Sequence, residues 1–133
     1  MRKSIDANHE ELGFLWTCRQ NGAARPVPYV RVSRFKLSDR TLIADNDIFG
    51  TTTVFGYPAA STNSIGNVGL VLCFSSTTLH VASASTVIDG VYGRFGGGLG
   101  LLSGANGTHG APLNRWGDYL SIEPWAADPQ VFT

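Results

Sequence analysis

The feature that most constrains this chain is "VGLVLCFSS" at residues 68–76, a run without charge on either of its alternating faces. Val68, Leu70, Leu72 and Phe74 fall on one side of an extended strand, and Gly69, Val71 and Cys73 on the other. Side chains alternate with period two in a strand, so such a run is stable only where both sides are covered. It belongs inside a stack of sheets. "YPAASTNS" leads into it through Ile65, Gly66 and Asn67, and the last two tolerate the positive φ that a tight hairpin requires.

The same punctuation continues along the chain. Phe14 to Arg19 reads as a first strand, and "YVRVSRFKL" at residues 29–37 alternates Val30 and Val32 against Arg31 and Ser33. "SDR" follows as a turn, and "TLIA" begins another strand at Thr41. Beyond the central hairpin, "LHVASA" from Leu79 and then "VIDGVYGRF" read as further strands. The segment 93–112, "GRFGGGLGLLSGANGTHGAP", is dense in glycine and reads as a long flexible loop. "YLSIE" is strand-like, "PWAADP" is turn chemistry, and "QVFT" starts a last strand. Helical periodicity is confined to "ANHEELG", whose few apolar positions do not anchor a helix. Charged residues are 15% of the chain, below the ~25% usual for globular domains, and Gly numbers 16. An all-β fold of short antiparallel strands follows.

Several functional classes are disfavoured. The formal net charge is zero, so no general field attracts nucleic acid. No apolar run approaches the ~20 residues of a membrane span, and the start "MRKSIDANHEELG" lacks the apolar stretch of a secretory signal. Cys18 and Cys73 each sit in an apolar strand-like run and read as buried free thiols rather than a disulfide. Arg31 and Arg34 share one strand and read as partners of local ion pairs rather than an anion site. Asn106 in "NGT" fits a glycosylation acceptor, relevant only in a eukaryotic secretory route.

Motifs for chemistry are incomplete. "DNDIFG" at residues 45–50 opens like a calcium loop with Asp45, Asp47 and Gly50, but Phe49 and Gly56 stand where acidic ligands belong, so it reads as an acidic turn. "GGGLGLLSG" at residues 96–104 has no helix after it to complete a phosphate site. His9, His80 and His109 lack metal-ligand spacing. Asp118 and Glu123 would point to opposite faces of an extended segment, unlike a glycosidase pair. Catalytic, cofactor and metal residues are therefore not assigned. The candidate cluster is Arg115, Trp116, Asp118 and Tyr119, either a sugar-binding patch or, preferably, a structural corner in which Gly117 bends the chain and Asp118 caps backbone amides.

Taken in order, "GFLWTCRQNG", "YVRVSRFKL", the "YP…N…GNV" hairpin and "RWGDY" resemble a run found in sialidase-like β-propeller proteins. The resemblance spans roughly Gly13 to Phe132, with gaps. It implies antiparallel blade-like sheets in a partial β-propeller. The division it implies is a tail at residues 1–12, a partial first blade at 13–56, a second blade at 57–114, and the start of a third at 115–133. The aspartate-box repeat of true sialidases is absent, and neither their arginine triad nor their tyrosine–carboxylate pair can be placed. The expectation is accordingly a non-catalytic binding or scaffold segment of a larger protein, with an extracellular or cell-surface parent. Its partners would be the remaining blades or copies of itself, with a glycan as candidate ligand. The competing expectations are a fragment of a glycan-active hydrolase whose catalytic residues lie elsewhere, and a small β-protein that self-associates to cover its open sheets.

Overall fold

The structure is a computed structural model, and it describes residues 2–3, 10–79, 81–88, 100–102 and 120–133. Among these the chain is all-β and antiparallel; its helical content is a single 3₁₀ turn, Gly22–Ala24. The first sheet has four strands in chain order: β1 (Arg2–Lys3), β2 (Glu10–Cys18), β3 (Tyr29–Lys36) and β4 (Leu42–Ile48). The second repeats that plan with β5 (Val54–Thr62), β6 (Val68–Ser75), β7 (Ala82–Ile88) and β8 (Gly100–Leu102). A hairpin of β9 (Pro124–Trp125) and β10 (Asp128–Phe132) follows. Among the described residues neither sheet closes on itself.

The two four-stranded sheets share one core. Val30 and Val32 of β3 pack in a single cluster with Phe55 of β5, Leu70, Leu72 and Phe74 of β6, and Ala82, Ala84 and Ile88 of β7. Leu15 and Ile48 close it from the flanking strands of the first sheet. Val30, Leu70 and Leu72 are fully buried, and each such side chain contributes ~1.5–3 kcal/mol by leaving water. Two hydrogen bonds also tie the two halves together: Phe55 N donates to the Pro28 backbone O at 3.1 Å, and Tyr57 N donates to the Thr17 side-chain Oγ1 at 3.2 Å. The second bond sits at a β-bulge. The β5–β6 register shifts between Gly56 and Ala59, and Tyr57 takes a φ of 52° there. The bulge accommodates Pro58, which has no N–H for a ladder.

The apolar run of β6 is covered on both sides, as its composition demands. Leu70 and Leu72 face the shared core; on the other side Cys73 is buried, and the Phe132 ring lies over Gly69. A Cβ built at Gly69 would sit 2.6 Å from Phe132 Cδ1, so this close approach requires glycine. Both cysteines are free thiols, Cys73 buried and Cys18 only partly so.

Several expectations need correction. Asp45 and Asp47 lie inside strand β4 instead of a turn, because Ser33 and Arg31 stand directly opposite and supply hydrogen-bonding partners. The stretch "EELG" is the start of β2, where Glu11 pairs opposite Lys36 and reaches Arg34 beside it. Residues 82–88 form one continuous strand in place of two shorter ones, with Ala82, Ala84, Thr86 and Ile88 inward. Small serine and alanine side chains pair there as readily as larger ones, because β6 supplies a complete ladder. Within the glycine-rich segment, Gly100–Leu102 is a strand paired with Ser83–Ser85, where a flexible loop was expected. The last turn falls at residues 126–127, and Glu123 and Thr133 exchange backbone hydrogen bonds at 2.8 and 3.0 Å, so "QVFT" is paired.

Candidate functional site

The sequence-derived cluster Arg115, Trp116, Asp118 and Tyr119 lies outside the described residues, as do His9, His80, His109 and Asn106. What the described residues bring together is different: a charged and aromatic face on the outside of the first sheet, and a polar-ended cleft between the sheets.

The outer face follows from strand alternation. Val30 and Val32 point into the core, so Tyr29, Arg31 and Ser33 point away from it. Register places Trp16 and Asp47 on either side of Arg31, and Phe14 and Asp45 on either side of Ser33. Arg31 Nε donates to Asp47 Oδ1 at 2.8 Å, and Arg25 Nε donates to Asp47 Oδ2 at 2.9 Å. Two guanidinium groups thus converge on one carboxylate whose side chain is 10% exposed. The hydrogen bond from Arg31 is the main reason that Asp47 titrates below the usual carboxylate range, with Arg25 adding to it. The same bond raises the Arg31 pKa further. Arg25 also stacks on Phe49, its Cζ 3.6 Å from the ring centroid. Tyr29 lies beneath both arginines, and burial, reinforced by its hydrogen bond with Cys18, pushes its phenol above the ordinary range. Phe14 and Trp16 complete the face and are 49% and 41% exposed.

This face presents paired charges beside exposed aromatic rings. Both arginines are already committed to Asp47. The Ser33 hydroxyl donates to Asp45, but Ser33 is buried and no imidazole joins the pair among the described residues. The described residues also contain no group of three or more His, Cys, Asp or Glu able to hold a metal ion.

The second feature lies between the two sheets. Glu11 and Arg34 stand diagonally across the β2–β3 ladder and form a bidentate pair, with Nε to Oε2 at 2.9 Å and Nη2 to Oε1 at 3.0 Å. Their side chains are 3% and 13% exposed. They form the polar end of a cleft of about 120 Å³ whose other walls include Leu15, Val32, Val68 and Ile88. Sequence reasoning anticipated Arg31 and Arg34 as ion-pair residues. It missed the partners, which lie 16 and 23 positions away and carry no local signature.

No family model, curated protein or solved structure matches this chain. None of the helical structure described is long or apolar enough to cross a membrane.

Proposed function

We propose that this chain is a non-catalytic binding or scaffold segment of a larger sialidase-like β-propeller, contributing a partial first blade, a second blade and the start of a third. The observation that carries this reading is the repetition of one plan: two consecutive four-stranded antiparallel sheets, each in simple chain order, stacked on a shared apolar face. Propellers build a ring by repeating such a unit and cover each blade face with its neighbour. The first sheet leaves Phe14 and Trp16 exposed on the face away from the core, and a preceding blade would cover it. The Arg25–Arg31–Asp47 network at that face would then sit at the rim of a blade contact, or serve a glycan beside Trp16.

A self-associating small β-protein is the second reading, and the same exposed aromatic face favours it. Sequencing the source DNA on both sides of the coding region separates the two. An open frame that continues with further "YP…GNV"-like hairpins supports the propeller segment. A stop codon directly after Thr133, with no frame upstream of Met1, overturns it in favour of self-association. An arginine cluster with a tyrosine–glutamate pair in the added blades would replace the binding reading with a glycan-active hydrolase.

A further inference from the structure

The geometry points to the cleft between the sheets as a binding site for a small neutral molecule with a branched apolar body and a carbonyl oxygen; we propose this independently of the propeller reading. A guanidinium carries five N–H donors, and the pair with Glu11 uses only those on Nε and one on Nη2. The remaining donors of Arg34 have no acceptor among the described residues, although the side chain is only 13% exposed. Arg34 lines the cleft, together with the hydroxyl-bearing Thr62. Buried donors without partners are costly, and an oxygen placed in the cleft relieves that cost.

The charge of the ligand follows from Glu11. Its carboxylate and the guanidinium form a bidentate pair without net charge of its own, so the pair offers an incoming oxygen hydrogen-bond donors and no net positive charge for an anion. A neutral carbonyl accepts the remaining N–H groups of Arg34 and brings no charge of its own into the cleft. The body of the ligand follows from Leu15, Val32, Val68 and Ile88, which offer aliphatic surface on the remaining walls. Its size follows from the volume. About 120 Å³ is slightly smaller than the ~150 Å³ apolar cavity that accepts benzene, which sets the scale at a handful of non-hydrogen atoms. Gly13 stands directly opposite Arg34 on the ladder, and a Cβ built there meets nothing within 4 Å. Gly13 lines the cleft, and its absent side chain leaves that wall open.

The test is a titration of the isotope-labelled chain with isobutyramide and, in parallel, isobutyrate, read from the amide signals of Gly13, Leu15, Thr62 and Val68. The expected result is saturable shifts with isobutyramide at millimolar concentration and at least ~10-fold weaker binding of isobutyrate. Gly13→Val projects a side chain into the cleft from a position whose Cβ meets nothing within 4 Å, and should abolish those shifts while the melting temperature holds. Arg34→Lys keeps a cation beside Glu11 but loses the fork, and should weaken isobutyramide by about tenfold. Absence of saturable shifts, shifts that persist in Gly13→Val, or isobutyrate binding as tightly as isobutyramide would each overturn the assignment.

Discussion

Replacing Asn63 with alanine should cost about 2 kcal/mol and should loosen both the β5–β6 turn and its tie to the C-terminal hairpin. Asn63 is 5% exposed and sits at the start of the β5–β6 turn. Its Oδ1 accepts hydrogen bonds from Asn67 N at 2.9 Å and Ile65 N at 3.2 Å, and its Nδ2 donates to Gln130 O at 2.7 Å. Each such bond contributes roughly 1 kcal/mol net, so the three together suggest about 3. Ile65 and Gln130 are exposed, and water can re-solvate the groups they lose, which reduces the cost to about 2. Asn63→Asp separates the two roles: it keeps an oxygen for the turn amides, but sets a carboxylate oxygen in place of the donor to Gln130 O, so a loss of about 1 kcal/mol or more is expected with the turn intact. Urea unfolding gives the free energies, and amide exchange at Ile65 and Asn67 shows whether the turn survives. Those amides should lose protection in Asn63→Ala and retain it in Asn63→Asp. An alanine variant within about 0.5 kcal/mol of the parent, or equal exchange in both variants, would refute the reasoning.

Gly69→Ala sets two effects against each other: a side chain inside a strand gains ~0.5–1 kcal/mol, but overpacking against Phe132 costs ~1–3. A net loss of about 1 kcal/mol by denaturant unfolding is expected, and Phe132→Ala in the same chain should remove most of the added cost of Gly69→Ala. Leu72→Ala, at a fully buried position of the shared core, should cost about 3 kcal/mol by the same measurement, and a loss below 1 would mean the core is misplaced. The depressed pKa of Asp47 means that its contribution is complete above the ordinary carboxylate value of 3.8 and is lost as pH falls through the lower folded value. Asp47→Asn should therefore be less stable than the parent at neutral pH, and the gap between them should narrow below about pH 4 in acid unfolding curves.

Parts of this fold are legible in the residues themselves. Alternation in "YVRVSRFKL" identifies β3 and its inward valines, and the uncharged run 68–76 identifies β6 and its two covered faces. Gly66, with a φ of 85°, performs the turn its residue type suggests. Other parts are hidden because their stability comes from across the sheet. "DND" has the local chemistry of a turn, and only Arg31, Arg25 and Ser33, brought alongside by pairing, hold Asp45 and Asp47 extended. Gly100–Leu102 has little strand preference of its own and is held by the β7 ladder. The Glu11–Arg34 pair and the clamp of Phe132 on Gly69 depend on contacts between distant segments, which periodicity does not report. The sequence-derived corner at Arg115, Trp116, Asp118 and Tyr119 falls outside the described residues, so the sites that emerge here rest on different side chains.

The central claim is that consecutive four-stranded sheets stack on one another through a common core. The most direct measurement is a methyl-resolved nuclear Overhauser spectrum of the chain labelled at valine and leucine. Val30 and Val32 belong to the first sheet, Leu70 and Leu72 to the second, and all four lie in one buried cluster. The account predicts cross-peaks between the methyl groups of these two pairs. Cross-peaks confined to within each sheet, with none between them, would show that the sheets do not stack and would contradict the account.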